Sequence, residues 1–309
     1  MDRVGADLFS TAPHTAEDIQ ELKAILAAAA DSAEAHMLLG IAYRAQNSPD
    51  VLGEAVAELR QAIALKPDLT LARLALARLY LDMARPSRAR EELETALEAM
   101  PDNPQLLSLL GETDRALNNA QHSVELNRRA LQIDPTLAQA RYYLGLALVD
   151  LKQYAEAIRE LQQVAQSGAN PAESFLALGV AQLSARHTDE AIAALREAVR
   201  ADPSSAAAHI QLARAYRLKG RLRDAAKELD LAVPAVTGGV NALYRNLEMD
   251  LNMEQGIVRM QQGLLEGAAE SFKRVLAADA NHAEARQRLA EVEKRIKDRA
   301  RAKKPGGGA

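Results

Sequence analysis

Apolar residues along the chain recur at i, i+3, i+4 and i+7 in short stretches that come in pairs, the spacing of an amphipathic helix. In residues 138–151, Leu144, Gly145 and Leu148 form one stripe, and in 155–165, Ala157, Ile158, Leu161 and Val164 form its mate. The pairing itself repeats. A small residue is followed twelve positions later by another at Ala77/Ala89, Gly111/Ser123, Gly145/Ala157, Gly179/Ala191, Ala213/Ala225 and Gly256/Ala268, and the first five pairs step by 34 residues. Four residues after each second member stands a large apolar residue, Leu93, Leu161, Leu195, Leu229 or Phe272, with Asn127 the exception. Proline punctuates the unit ends at Pro67, Pro101, Pro135 and Pro203. Small residues let two helix axes approach closely, so Gly145 and Ala157 are expected contact points. One helical hairpin cannot bury both of its faces, whereas stacked hairpins make a continuous core.

Full units are expected at 33–69, 70–103, 104–137, 138–171, 172–205, 206–239 and 249–282, the first with three extra residues around Asn47-Ser48-Pro49-Asp50. An unpaired helix is expected at 15–30, with Ile19, Leu22 and Ile25 on one face, and a capping helix at 283–300 that buries Leu289 and Val292. Residues 1–14 read as a flexible terminus and 301–309, ending Pro305-Gly306-Gly307-Gly308, as a disordered tail. Two irregularities stand out. Asp114 and Asn127 replace an aromatic and a large apolar residue; they read either as partly solvated or mutually paired, or as a soft joint in the array. Nine extra residues separate the sixth and seventh units: Pro234 and Gly238-Gly239 are expected to stop one helix, and 241–262 to run as a long one carrying Leu243, Leu247 and Leu251.

Composition agrees with an all-helical protein. Aromatics are 3% while the apolar set reaches 48%, so Ala and Leu carry the apolar weight, and both favour helix over strand. The absence of Cys excludes disulfides, thiolate metal sites and cysteine nucleophiles. A net charge of −4 and a pI near 5.9 argue against a nucleic-acid-binding role for the whole molecule. No apolar stretch approaches the ~20 residues of a membrane span. The start of the chain lacks a signal-peptide pattern, which favours the cytoplasm and leaves the periplasm open if a leader has been removed. Catalytic constellations are missing: the six His residues never fall at metal-binding spacing, and Gly238-Gly239 lacks the Lys-Ser/Thr of a phosphate loop. His36 and His209 read as packing residues, and Glu156/Glu160 beside Arg159 as a solvated face. The chain is therefore expected to be a non-enzyme with no cofactor and no metal. The basic run Lys294, Arg295, Lys297, Arg299, Arg301, Lys303 and Lys304 reads as a solvated helix end, or as a contact for anionic lipid or nucleic acid.

From about residue 15 to 300 the chain resembles the tetratricopeptide repeat family. The resemblance rests on Leu39-Gly40 with Tyr43, Leu144-Gly145 with Tyr154, Leu178-Gly179, and Leu212-Ala213 with Tyr216, all in the same register. It implies an all-α, right-handed superhelical solenoid of helical hairpins with a C-terminal capping helix. It further implies that the first helix of each unit lines a concave surface that binds a peptide or helical segment of a partner protein. The most apolar part of that lining is Tyr142, Leu146 and Val149, then Leu176, Val180 and Leu183, with Arg214 and Arg217 following. These eight residues are the expected peptide-binding set, the arginines meeting acidic groups of the partner. Packing within the array, a terminal segment or a second copy would cover the same stripe. Family members that hold a chaperone's C-terminal carboxylate do so with Lys and Asn; Ile41, Arg78, Leu146, Val180 and Arg214 stand there instead, so that mode is not expected. Alternatives to a peptide-binding scaffold are a self-associating, homo-oligomeric assembly factor of a bacterial envelope or secretion complex, and a regulatory repeat domain of a larger enzyme. The capping helix and tail speak against the last, since a fused array usually runs straight into its catalytic domain.

Overall fold

The computed structural model describes residues 16–46, 48–236 and 242–303. The expected flexible stretch 1–14, Gly238-Gly239 and the chain from 304 onward lie outside the described residues. Among those described there are sixteen helices and no strand. Their contacts gather them into two compact units, the chain passing from one to the other between Leu151 and Lys152.

The first unit holds α1 (Ala16–Ala28), α2 (Ala33–Gln46), α3 (Pro49–Leu65), α4 (Thr70–Asp82), α5 (Pro86–Ala99), α6 (Pro104–Ala116), α7 (Ala120–Ile133) and α8 (Ala138–Asp150). The pairs α2/α3, α4/α5 and α6/α7 are antiparallel hairpins. Each second helix packs on the first helix of the next pair, and the first helices α2, α4, α6 and α8 also pack on one another in sequence. The second unit holds α9 (Tyr154–Ser167), α10 (Pro171–Ser184), α11 (Thr188–Ala201), α12 (Ala206–Leu218), α13 (Leu222–Val236), α14 (Ala242–Gln261), α15 (Leu265–Ala278) and α16 (Ala283–Lys303). There α10, α12 and α14 are the inner series.

Local chemistry sets the ends of these elements. Pro opens α3, α5, α6 and α10, where a helix has no use for the missing N–H. The Asn103 side chain caps α6, accepting from the amides of Gln105 at 3.1 Å and Leu106 at 3.0 Å. Several inner helices end on one left-handed residue: Ala84 and Asn118 in the first unit, Arg186, Gly220 and Gly263 in the second, with φ of 54°, 64°, 65°, 73° and 79°. The next amide then folds back over the helix end. Arg85 N–H donates to the Tyr80 carbonyl at 2.7 Å and Arg221 N–H to that of Tyr216 at 2.9 Å, which satisfies orphan carbonyls and turns the chain into the second helix.

Gly40 does face the small residue Ala55, a Cβ there lying 3.1 Å from its carbonyl oxygen, but the nearest atoms at these glycines belong to larger side chains. A Cβ at Gly40 would lie 2.6 Å from Leu59 Cγ, at Gly179 2.5 Å from Leu195 Cγ, and at Gly256 2.5 Å from the Phe272 ring. The contact partner is thus the large residue on the second helix, and the glycine is the hole into which that side chain inserts. At Gly111 the inserted side chain is Asn127.

Asp114 and Asn127 are both fully buried, neither solvated nor paired with each other. The Asp114 carboxylate pairs with Nδ1 of His122, and Arg90 Nη1 lies 3.4 Å from its other oxygen. Asn127 Nδ2 donates to the Ser123 carbonyl at 2.8 Å, while Asn127 Oδ1 has no partner. Their places in the period are core places, and the helices keep them inside whatever their polarity.

Two further expectations change. Pro234 does not stop α13, which runs on to Val236. The ladder bond it forfeits would have joined it to Asp230, and both residues are exposed, so the loss falls on the solvent side. At the other end α16 continues to Lys303, three residues into the stretch expected to be disordered. Ala300 and Ala302 favour helix there, and the cations suit its C-terminal dipole. Val292 is fully buried on this helix and Leu289 packs beside it.

Candidate peptide groove

A recurrent clip orients the inner helices. His209, on the first turn of α12, points Nδ1 at Glu228 on α13 (2.8 Å) and Nε2 at the Pro203 carbonyl (3.1 Å). His36 on α2 does the same with Glu58 (2.5 Å) and the Ala30 carbonyl (3.1 Å). Arg73 on α4 reproduces the pattern with Glu92 at 2.9 Å and the Pro67 carbonyl at 3.4 Å. These residues tie a hairpin's first helix to its second and to the loop before it. Both histidines are structural.

Further along the inner helices of the first unit runs a ladder of ion pairs. Arg44 Nε donates to Asp82 (2.5 Å), Arg78 Nη1 to Glu112 (2.6 Å) and Arg115 Nε to Asp150 (2.6 Å), each from one inner helix to the next. Tyr143 on α8 joins the middle rung: burial pushes its phenol up from the ordinary value, the Glu112 carboxylate adds to this, and Arg78 opposes it.

Beside this ladder lies a cleft of about 150 Å³. Ile41 and Arg44 of α2 line one end, Leu71, Leu74, Ala75 and Arg78 of α4 the middle, and Gln105 and Leu109 of α6 with Gln139 of α8 the other end. A second, mainly apolar hollow shares Leu71, Leu74 and Gln105 with it and adds Met100. Leu71 and Met100 are 42% and 43% exposed, large for apolar side chains. The result is an open apolar trough on the inner face of the first unit, floored by Leu74 and Leu109.

The expected site residues fall in both units. Tyr142, Leu146 and Val149 are half-buried on α8, Tyr142 standing edge-on to Tyr143 with ring centroids 5.3 Å apart. Leu176, Val180 and Leu183 are half-buried on α10, and Leu176 and Leu183 pack against the core of the second unit. They therefore serve their own unit's core as well as its surface. Arg214 and Arg217 on α12 already hold a carboxylate of this chain: their Nε atoms donate to the two oxygens of Glu254 on α14 at 2.7 and 2.8 Å, and Glu254 is buried. The inner positions Met253, Ile257 and Met260 are buried too. Sequence reasoning placed Ile41 and Arg78 on the inner face but missed Leu71, Ala75, Gln105, Leu109 and Gln139. Leu71, Gln105 and Gln139 share one position in the 34-residue period, and that recurrence was the available signal.

Family profiles described as tetratricopeptide repeat match residues 52–113, 137–174 and 176–240, more than half of the chain. The chain belongs to the tetratricopeptide repeat family. As in that family at large, its repeats support a protein–protein interaction scaffold. A curated relative, the human protein O-mannosyl-transferase TMTC3, is 25% identical over 245 residues, covering 78% of this chain and 26% of that protein. The chain thus spans about a quarter of that relative's length. Among solved structures, it is similar to a chain of the APC/C hetero-tetramer Cut9-Hcn1 with a TM-score of 0.69 and 16% identity, over 79% of this chain and 47% of that one. It is also similar to a tetratricopeptide repeat protein from Parabacteroides merdae, with a TM-score of 0.61 and 16% identity over 85% and 99% of the two chains. PilF of Pseudomonas aeruginosa follows at 0.56 and 21%, over 72% and 97%. At these identities the structural likeness carries the fold alone. Among the described residues no helix is long and apolar enough to cross a membrane.

Proposed function

We propose that this tetratricopeptide repeat protein is a non-catalytic docking scaffold whose inner trough, across α2, α4, α6 and α8, receives a segment of a partner protein. The observation that carries the reading is the exposure of Leu71 and Met100 on a trough floored by Leu74 and Leu109. Neither side chain is needed by its own hairpin's core, and large apolar residues left open on a concave face mark interaction surfaces. The half-buried stripe Tyr142, Leu146 and Val149 lies on α8, the helix that also supplies Gln139, and extends the candidate surface along it. In the second unit Val180 on α10, with Leu176 and Leu183, remains a secondary candidate surface. There Arg214 and Arg217 serve a ligand only if it displaces Glu254.

The test is a random peptide library displayed on phage and panned against the intact protein, with recovered peptides re-measured on Leu71→Asp. Leu71 is exposed enough for that change to leave the helices intact. Recovered peptides are expected to lose binding to Leu71→Asp, with far-UV dichroism unchanged. Peptides that bind the variant as well as the wild type would place the docking surface elsewhere and sink the reading.

A second reading has one observation in its favour. The similarity to a protein named as an O-mannosyl-transferase is that of a repeat array forming part of a longer enzyme. On that reading the array is the interaction arm of such a protein, and the trough serves the same docking role.

A further inference from the structure

The trough's chemistry also indicates what kind of segment it takes, an inference that rests on the docking role proposed above. We infer that its occupant is an uncharged, extended segment of about seven to nine residues, whose backbone is held by the side-chain amides of Gln105 and Gln139.

Charge comes first. The two cations lining the cleft, Arg44 and Arg78, are each held by a carboxylate on the neighbouring inner helix, Asp82 at 2.5 Å and Glu112 at 2.6 Å. A ligand carboxylate would have to displace an acid that is already in place and has no association entropy to lose. A ligand ammonium would meet two guanidinium groups. The walls therefore favour neither sign, and the complementary ligand is neutral.

The groups left without partners are amides. Gln105 and Gln139 are each the second residue of an inner helix, 34 positions apart, and both line the cleft. Neither side-chain amide bonds to another described residue, although Gln105 N–H is used in the cap of α6. A primary amide carries both donors and an acceptor, as a peptide group does. Two of them on successive inner helices can pair with the N–H and C=O groups of an extended chain much as a neighbouring strand would. On α4 the same position is Leu71, so the row of amides gives way to the apolar hollow over Leu74 and Leu109.

Length follows from the helix spacing. Packed helices lie ~8–10 Å apart, so the three intervals from α2 to α8 span roughly 24–30 Å. At ~3.3 Å per extended residue that is about seven to nine residues.

The probe is a nonapeptide capped at both ends, with Leu at its third, fifth and seventh positions in a Ser/Gly background. Two companions carry Glu or Lys in place of two Ser. Binding is followed on the intact protein through the side-chain NH₂ signals of Gln105 and Gln139 in ¹H–¹⁵N spectra, each identified by its loss in Gln105→Leu or Gln139→Leu. The neutral peptide should move both signals. Its affinity should hold between about 0.05 and 0.5 M salt and fall about fivefold or more in the double Leu variant. If Leu71→Asp abolishes binding while the double Leu variant binds as wild type, or if a charged companion binds more tightly, this inference fails and the docking trough stands. If the neutral peptide binds and Leu71→Asp leaves that binding untouched, the trough fails and takes the inference with it. A neutral peptide that moves neither signal overturns the inference by itself.

Discussion

Replacing Asn127 with Leu should make the third hairpin, α6/α7, more stable, by a magnitude that can be worked from its contacts. Asn127 is fully buried and fills the hole at Gly111, the role that Leu59 plays at Gly40 and Leu195 at Gly179. Its Oδ1 has no partner, and an orphaned buried acceptor costs ~1–3 kcal/mol. Nδ2 makes two bonds: the one to the Ser123 carbonyl goes to an oxygen that already serves as the i−4 acceptor of the residue 127 amide, whereas losing the long one to the buried Ser123 hydroxyl, at 3.4 Å, offsets part of the gain. Leu matches Asn in side-chain heavy atoms but its methyl groups are bulkier than the amide oxygen and nitrogen, so the exchange adds volume; Leu59 and Leu195 fill the same hole in other hairpins, which keeps the strain toward the low end of the ~1–3 kcal/mol of overpacking. Restoring apolar burial works in the favourable direction. The net expectation is a gain of up to about 2 kcal/mol for this hairpin.

The appropriate assay is native-state hydrogen exchange, because an array of repeats need not unfold in one step and a single melting temperature would blur the effect. In the wild type, amides of α6 and α7 should exchange faster than those of α4 and α5 in the same unit. In Asn127→Leu they should slow by up to roughly 30-fold, following a factor of ten per 1.4 kcal/mol. Exchange that is unchanged or faster in the variant would mean that Oδ1 is satisfied in solution. The polar insert would then not be a weak point, and the idea of a soft joint would go with it.

Two other outcomes are expected. His209→Arg should keep the stability of the α12/α13 hairpin, since Arg73 makes the same clip on α4, whereas His209→Ala should cost about 1–3 kcal/mol by leaving Glu228 and the Pro203 carbonyl unpaired; equal urea midpoints for the two variants would contradict the clip. Arg186→Gly should stabilise the α10/α11 turn by up to about 1 kcal/mol, because Arg186 holds a left-handed φ of 65° where Gly220 and Gly263 stand in later repeats; a lower urea midpoint for this variant would show that the Arg side chain contributes more than the strain costs.

The period was legible because one packing problem is solved again every 34 residues, and the residues that solve it must recur. Burial at Asp114 and Asn127 was legible too, but polarity outweighed position in the reading. Asp114 stands one period after Tyr80, and Asn127 one period before Leu161, and both of those are core residues. What could not be read was which contacts are made across repeats. The partner of Arg214 and Arg217 is Glu254, 40 and 37 residues away, beyond an insertion that shifts the register. The apolar content of α8 and α10 drew attention to their stripes, yet whether an inner Leu is open or packed depends on neighbours that the period alone does not specify. Leu176 and Leu183 are packed into a core; Leu71 is not.

On the proposed docking role, structure and recognition in the first unit use different positions of the same inner helices. The Arg–Asp/Glu ladder sits toward their C-terminal ends, and with side chains about a fifth to two-fifths exposed its rungs contribute little to stability. Their larger effect is to cancel charge on the groove wall, which makes the trough a neutral surface. On α4, α6 and α8 the side chain at the second position has no role in the hairpin: Leu71 and Gln105 are exposed, and the Gln139 side chain bonds to no other described residue, whereas Glu34 at that place on α2 pairs with Lys66 at 3.0 Å. On these three helices a side chain there lines the cleft and is free of packing constraint. Exchanging Leu for Gln along that row would turn an apolar contact into a backbone contact without touching a residue that holds the helices together. If the trough is the docking site, specificity in this unit resides where the repeat asks for nothing.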